Sequence, residues 1–380
     1  MITDLQAMQR ALALARRGGA DVHPNPRVGC VLLRDGRVVG EGWHKRFGGP
    51  HAEVWALRQA GSLARGATAV ITLEPCSHVG KTPPCAEALL AAGVTRVVAA
   101  MEDPNPQVAG RGLARLRAAG VAVEAGLLAE EAARQNRPFV KRMTTGLAWV
   151  TAKVAATLDG KVADHRGASR WITGPEARRE GHRLRRDHRA VVTGLGTVLA
   201  DDPALTVRDV PRAWRDPERV VLDTHLRLPL EAALVRTARD VPVRVLCGPT
   251  ADAGRADALE DRGVRVERVP VGADGRLFLP DVVRTLAALE LSPVLLEAGG
   301  TLTSAFVAAG LVDELAWFVA PSLLACRAAV AAVDLPGPRD LSARLELEAP
   351  IVRRLGRDLL VRGVVAPGSA PGAAAGSNAR

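Results

Sequence analysis

The chain contains no tyrosine, and aromatic residues make up only 3% of it. Proteins that grip single-stranded nucleic acid stack bases on aromatic side chains. A formal charge of +10 therefore does not read as an RNA or DNA surface. The charge is also thinly spread: only five of the 51 basic residues are lysine, and no Lys/Arg tract of five or more occurs. Residues 1–146 carry a balance of +7 and the remainder +3, and a basic first part suits phosphorylated small molecules. No run of 18 apolar residues is present, so no helical membrane span is expected. The stretch MITDLQAMQRALALARRGG reads as an amphipathic helix with acid near its start and base near its end. It lacks the unbroken apolar segment of a secretory signal. Five cysteines among 380 residues do not make a disulfide framework and fit a reducing cytoplasm. The chain also lacks a GxGxxG following a strand: Gly194-Leu195-Gly196-Thr197 breaks that fingerprint, so a Rossmann-type nicotinamide site is not supported.

A length of 380 residues suggests two or three domains with ample core. Over residues 1–146, helices and strands alternate: a helix at 4–17, strands near 28–33 and 37–41, a helix from His51, a strand at 68–73, a helix opening near Pro83-Pro84, a strand at 95–100 and a helix at 111–118. This is an α/β layer pattern. A join is expected near 137–148, after which the alternation restarts. Apolar strands are expected at 189–193, 219–222, 243–246, 264–269, 293–296 and 314–319, with a helix at 303–309. Residues 366–380, APGSAPGAAAGSNAR, hold only Ala, Pro, Gly, Ser, Asn and Arg and cannot bury a core. No internal repeat is found.

The chemistry is concentrated in His51-Ala52-Glu53, Glu74-Pro75-Cys76 and Cys85. Zn²⁺ favours nitrogen and sulfur ligands, and three protein ligands leave a fourth position for water. A carboxylate beside such a site can carry protons to a departing amino group, as zinc deaminases require. His51, Cys76 and Cys85 are therefore assigned as zinc ligands and Glu53, two residues after the ligand His51, as the proton carrier. His78 could supply a fourth ligand and close the site into a structural one, but the placement of Glu53 favours catalysis. Helix N-termini at His51 and around the cysteines favour thiolate. Cys30, Cys247 and Cys326 have no such context and read as buried small residues.

Eight residues separate Cys76 from Cys85, whereas nucleic-acid and nucleoside deaminases typically carry PCxxC. The string PCSHVGKTPPC resembles the deaminase half of the bifunctional riboflavin-biosynthesis deaminase/reductase. HPNPRVGCVLLRDGRVVGEGWH (His23 to His44), GGPHAEVWAL (Gly48 to Leu57) and MEDPNPQVAGRG (Met101 to Gly112) match the same family. The resemblance implies a cytidine-deaminase-like three-layer αβα domain over 1–146, with His44, His78, Lys81, Asp103 and Asn105 lining its pyrimidine site.

In the second part, strand 293–296 runs into Glu297-Ala298-Gly299-Gly300-Thr301-Leu302. Two glycines at a helix N-terminus can cradle phosphate, or can simply make a tight turn. KVAATLDGKVA (Lys153 to Ala163), SRWITGPEAR (Ser169 to Arg178), VTGLGTVLADDPALTVR (Val192 to Arg208) and LLEAGGTL (Leu295 to Leu302) resemble the reductase half of the same family. That half has a fold similar to dihydrofolate reductase and uses NADPH, here over 147–365. The resemblance places the dinucleotide near Ala155, Trp171, Thr197, Asp201, Thr224 and the turn Gly299, Gly300, Thr301, Leu302, Thr303, Ser304 and Ala305. It places the phosphorylated substrate near Ser169, Arg185, Leu205, Arg208 and Glu297. Arg185 and Arg208 can fork a phosphate, Ser169 and Glu297 can bind ribose hydroxyls, and Trp171 can stack on a nucleotide ring. Without the resemblance, Trp171 could equally be core and either arginine a solvated helix residue. After VAPSLL (Val319 to Leu324) the family usually continues with glycines, whereas this chain reads ACRAAV, which leaves the role of 325–338 open.

The implied activity is two consecutive steps of riboflavin synthesis. One is hydrolytic deamination of 2,5-diamino-6-(5-phosphoribosylamino)pyrimidin-4(3H)-one. The other is NADPH-dependent reduction of the ribosyl group of the resulting uracil to ribityl. The expected setting is a cytoplasmic homo-oligomer acting on phosphorylated pyrimidines, with no nucleic-acid or membrane partner. Two rivals stand: an RNA or nucleoside deaminase with an appended domain, and a monofunctional deaminase whose second domain is a scaffold.

Overall fold

The computed structural model describes residues 1–77, 84–106, 108–211, 213–337 and 340–367. The chain forms two compact units, 1–146 and 147 onward.

In the first unit the elements are α1 (Asp4–Arg16), β1 (Gly29–Arg34), β2 (Arg37–Trp43), α2 (Ala52–Ala60), β3 (Thr68–Ile71), α3 (Cys85–Ala91), β4 (Arg96–Ala99), α4 (Arg111–Ala118), β5 (Ala122–Ala125), α5 (Ala129–Gln135) and α6 (Arg137–Thr145). The strands form one sheet in the order β2-β1-β3-β4-β5. β1 pairs antiparallel with β2 and β3, while β3, β4 and β5 run parallel. Alternation along each strand sorts the core to two faces. Cys30, Leu32, Ala69, Ile71 and Val97 pack with α2, α3 and α4. Val31, Leu33, Val70 and Val98 pack with α1 and α5. The unit is a three-layer αβα sandwich. α1 begins with a capping box between Thr3 and Gln6, which satisfies amides that the helix leaves orphaned.

The second unit holds β6 (Val150–Thr157), β7 (Lys161–Ala163), α7 (Pro175–Asp187), β8 (Ala190–Gly194), α8 (Leu195–Asp201), β9 (Glu218–Leu222), α9 (Ala233–Arg236), β10 (Val243–Cys247), α10 (Ala253–Glu260), β11 (Val264–Arg268), α11 (Leu279–Ala288), β12 (Val294–Leu296), α12 (Gly300–Ala308), β13 (Glu314–Ala320), β14 (Val330–Ala331), β15 (Leu347–Leu355) and β16 (Asp358–Val365). Nine strands form one mixed sheet in the order β11-β10-β9-β8-β12-β6-β13-β16-β15. It is parallel from β11 to β13, and β16 and β15 close it antiparallel. One face packs on α11 and α12, the other on α8, α9 and α10 and on α7.

Several expectations need correction. The join expected near 137–148 holds the unit boundary after Gly146, and most of it is α6, which starts at Arg137 and stops at Gly146, whose φ of 70° caps it. Pro138 sits in the first turn of α6, where proline is tolerated. α12 opens three residues earlier than the expected 303. Segment 325–331 keeps an ordered place without the family's glycines. Leu324 and Ala325 donate their N–H groups to Asp159 (3.2 and 2.9 Å), Lys161 Nζ donates to Ala329 O (3.2 Å), and β14 pairs with β7. Ala325 holds a φ of 49°, a conformation that glycine adopts without strain. The expected disordered tail lies outside the described residues except for Ala366 and Pro367. Among the described residues, no helix is long and apolar enough to cross a membrane.

Candidate active sites

His51 is the N-cap of α2, and its side chain does not cap the helix. The imidazole is thereby left for the two thiols. His51 Nδ1 lies 3.2 Å from Cys85 Sγ and 3.6 Å from Cys76 Sγ. All three ligand atoms fall within 4.8 Å of one another. Tetrahedral zinc with bonds of about 2.0 Å to nitrogen and 2.3 Å to sulfur sets its ligand atoms roughly 3.6 Å apart, so this donor set fits the ion. Cys76 sits at the end of the β3 turn, and Cys85 opens α3 and donates its N–H to Cys76 Sγ (3.3 Å). The two thiols share their protons unequally. The hydrogen bond from Cys85, helped by His51, brings Cys76 down to about 4, while the same bond and burial push Cys85 up. The hydrogen bond to Cys76 raises His51.

Glu53 follows two residues later, in the first turn of α2, and is 3% exposed. Its Oε2 has no hydrogen-bond partner among the described residues, and burial raises its proton affinity. A buried orphan oxygen is costly unless a ligand completes it, which suits a group that handles protons on a substrate. His44 packs edge-on against His51 with ring centroids 5.3 Å apart. Burial drives His44 down to about 4, so the ring is neutral. It contacts Pro50 O through Nδ1 (3.2 Å) and Asn25 Nδ2 through Nε2 (3.4 Å). Asp103 Oδ1 accepts the Asn105 N–H (2.9 Å), so these two form one turn. His78 and Lys81 lie outside the described residues.

Glu74 went unrecognised as a functional residue in the sequence. Its carboxylate, 4% exposed, accepts N–H groups from Asp103 (3.0 Å), Gly110 (2.9 Å), Gly112 (2.7 Å) and Leu113 (3.2 Å). A Cβ at Gly112 would stand 1.9 Å from Pro75 O, so only glycine lets α4 come this close to the Glu74-Pro75-Cys76 turn.

In the second unit the expected residues gather at the carboxyl ends of the parallel strands, where open α/β sheets bind ligands. Glu297 follows β12, Thr197 and Asp201 lie on α8 after β8, Thr224 follows β9, and Ala155 lies in the last half of β6. Trp171 is 70% exposed, which excludes a core role, and stands under Arg178 at 4.7 Å. The neighbouring Arg170 reaches Asp201 O (2.6 Å) and so ties the segment bearing Ser169 and Trp171 to α8.

The fork expected of Arg185 is not open to a phosphate. Its Nε and Nη2 bind the two oxygens of Glu297 at 2.6 and 2.9 Å, and its Nη1 donates to Thr206 O (3.0 Å). Lys153 Nζ stands 3.8 Å from the same carboxylate. Burial alone would raise Glu297, but the charges of Arg185 and Lys153 outweigh it and bring the group to about 2. Arg208 differs: it is exposed and on a loop. His182 Nδ1 stands 3.1 Å from Thr206 O and 3.3 Å from Arg208 N. Lys153 and His182 were both overlooked in the sequence. Lys153 opens the KVAATLDGKVA block, and the scarcity of lysine could have flagged it. His182 is one helical turn before Arg185, a spacing that could have flagged it too. Leu205 is buried with a φ of 49° and shapes the loop rather than presenting a polar group.

The two glycines of the Gly299-Gly300 turn are held for different reasons. A Cβ at Gly300 would meet Ala331 O at 2.1 Å, whereas Gly299 has nothing within 4 Å. Gly300 is thus required by packing, and Gly299 faces open space. Thr303 and Ser304 are buried, and Ser304 Oγ accepts the Asp334 N–H (2.8 Å). Thr301 is exposed, and Leu302 and Ala305 are half-buried.

Residues 1–101 match the family described as the cytidine and deoxycytidylate deaminase zinc-binding region. Residues 148–361 match the RibD C-terminal domain. The chain is 45% identical over 361 residues to riboflavin biosynthesis protein RibD of Escherichia coli (strain K12), covering 93% of this chain and 96% of that one. Acinetobacter baumannii RibD superposes with a TM-score of 0.85 at 42% identity, over 96% of this chain and 99% of that one. A diaminohydroxyphosphoribosylaminopyrimidine deaminase/5-amino-6-(5-phosphoribosylamino)uracil reductase from Thermotoga maritima superposes with a TM-score of 0.79 at 33% identity, over 96% and 99%. The chain belongs to the bifunctional family of riboflavin biosynthesis, in which a zinc-binding deaminase, a hydrolase, and a reductase, an oxidoreductase, share one polypeptide.

Proposed function

We propose that the first unit deaminates 2,5-diamino-6-(5-phosphoribosylamino)pyrimidin-4(3H)-one and that the second reduces the ribosyl group of 5-amino-6-(5-phosphoribosylamino)uracil to ribityl with NADPH. The observation that carries the first assignment is the convergence of His51, Cys76 and Cys85 beside the unpartnered oxygen of Glu53. These three residues would hold Zn²⁺, which when bound makes water nucleophilic at neutral pH. Glu53 takes a proton from the attacking water and returns one to the amino group, which leaves as ammonia. The Asp103–Asn105 turn and His44, with His78 and Lys81, hold the pyrimidine.

In the second unit NADPH supplies the hydride when bound, and the protein supplies orientation and charge. Trp171, held at the surface under Arg178, stacks on a nucleotide ring. Ala155, Thr197, Asp201, Thr224 and the start of α12 from Gly299 receive the rest of the dinucleotide. There the backbone N–H groups face an anion and the buried hydroxyls of Thr303 and Ser304 brace the turn. Arg208 holds the substrate phosphate. Ser169 and Glu297 bind ribose hydroxyls, with Arg185 and Lys153 keeping Glu297 ionised. All five cysteines are free, which suits a reducing cytoplasm.

The test is mass spectrometry of products formed from the diaminopyrimidine substrate. Without NADPH the amino-to-oxo product should accumulate, and with NADPH the ribityl product should replace it. Accumulation of the deaminated compound under both conditions would refute the reductase half, and unchanged substrate would refute the deaminase half.

A further inference from the structure

Glu74 carries out no step in the proposed chemistry, yet it is built into the deaminase unit with unusual completeness. Both of its oxygens accept two backbone amides each, which uses the full acceptor capacity of a carboxylate. Three of those amides belong to the N-cap Gly110 and to the first turn of α4, which has no intrahelical acceptors for them. Glu74 thus caps α4 from a different segment and sets a negative charge at its positive end. The fourth amide is that of Asp103, whose own carboxylate holds Asn105. At its other end Glu74 is two residues from Cys76, and its N–H donates to Met101 O (2.9 Å). One side chain therefore links a zinc-ligand turn, a helix start and the turn assigned to the pyrimidine.

We propose that Glu74 is a positioning residue of the deaminase site, fixing the Asp103–Asn105 turn against the Cys76 turn and so setting affinity for the pyrimidine. The proposal rests on the reading that this turn lines the pyrimidine site. A glutamine cannot replace the carboxylate, because its amide nitrogen would face two N–H donors with no lone pair to offer.

The experiment uses the full chain carrying Glu74→Gln, with the reductase reaction as internal control of folding. Loss of charge-assisted bonds to the turn should raise the deaminase KM about tenfold and change kcat by less than about threefold, since Glu53 and the ligands are untouched. Zinc content and reductase kinetics should be unchanged. Amide hydrogen exchange at Asp103 and Gly110 should accelerate at least about tenfold. Unchanged exchange and KM overturn the proposal, and so does loss of zinc with the turn still protected, because Glu74 would then act on the metal ligands. Asn105→Ala isolates the lining assignment. A raised KM there with an unchanged KM in Glu74→Gln overturns the role of Glu74. An unchanged KM in both overturns the lining assignment and the proposal with it. If Glu74→Gln does not fold, Glu74→Asp enters the same assays. It keeps the charge but draws the carboxylate back from four amides, and the same KM-against-kcat split is expected.

Discussion

Replacing Glu297 by glutamine would test how much of the reductase unit depends on one buried ion pair. In the wild type, Arg185 grips both oxygens of Glu297, and the two side chains are 16% and 9% exposed. Lys153 stands at 3.8 Å. Glutamine keeps the shape and removes the anion, which leaves two cations facing each other. The fall of Glu297 from its ordinary 4.5 to about 2, at 1.36 kcal/mol per unit, corresponds to about 3 kcal/mol. That agrees with the cost of roughly 3–5 kcal/mol for breaking a buried pair by removing one partner. For a unit of this size the melting temperature should fall by about 6–12 °C. The pH dependence has a definite sign. The folded value lies below the unfolded one, so the stabilisation is fully present above about pH 4.5 and is lost as pH falls toward about 2. Scanning calorimetry of both proteins should therefore show a constant difference from pH 6 to 8 that narrows on acidification, while deamination by the variant stays normal. Equal transitions at pH 7, or a difference that widens in acid, would refute the reasoning.

Glu53→Gln should retain zinc and abolish ammonia release, because an amide fills the space but cannot carry a proton; appreciable turnover with full metal content would sink the assignment. Cys85→Ser should lose zinc, since a hydroxyl is a far poorer ligand than thiolate, and undiminished zinc by elemental analysis would show that Cys85 is no ligand. Arg208→Ala should lower reductase kcat/KM by roughly ten- to a hundredfold through loss of a charge-assisted bond and leave NADPH affinity unchanged; a large loss of NADPH affinity with an unaltered substrate KM would place Arg208 on the dinucleotide side. Trp171→Ala should weaken NADPH binding by about 1–3 kcal/mol, the scale of a base–aromatic stack, as measured by calorimetric titration; an unchanged Kd would exclude the stack.

Legibility of the fold in the sequence followed burial. Strands β1, β3, β4, β8, β9, β10 and β12 are mostly buried on both faces, and their runs of Val, Ile and Leu stood out. β5 and β15 escaped notice because nearly all their residues are exposed, so no alternation marks them. β15 exists because β16 pairs with it, and pairing between strands leaves no local trace. α6 is a different case: the expected join covered it, although proline at its second position is compatible with the first turn of a helix.

Legibility of the sites followed chemistry. The cluster of His51, Cys76 and Cys85 was readable because zinc admits few donor types, so their pattern in the sequence suggests its own mechanism. Arg185 shows the limit. The resemblance assigns its guanidinium to a phosphate fork, but its geometry depends on a carboxylate 112 positions away, and sequence spacing cannot show that the two ends of the fork are already taken. Gly300 makes the same point through sterics, since the atom that demands glycine is a carbonyl of Ala331 on a segment where this chain departs from its family. Glu74 is the sharpest case. It lies in the most informative motif of the chain, and its role was still missed because its partners are backbone amides. Any residue except proline can donate such an amide, so no residue type at 103, 110 or 113 announces the bond. Only Gly112, kept small by Pro75 O, left a mark in the sequence.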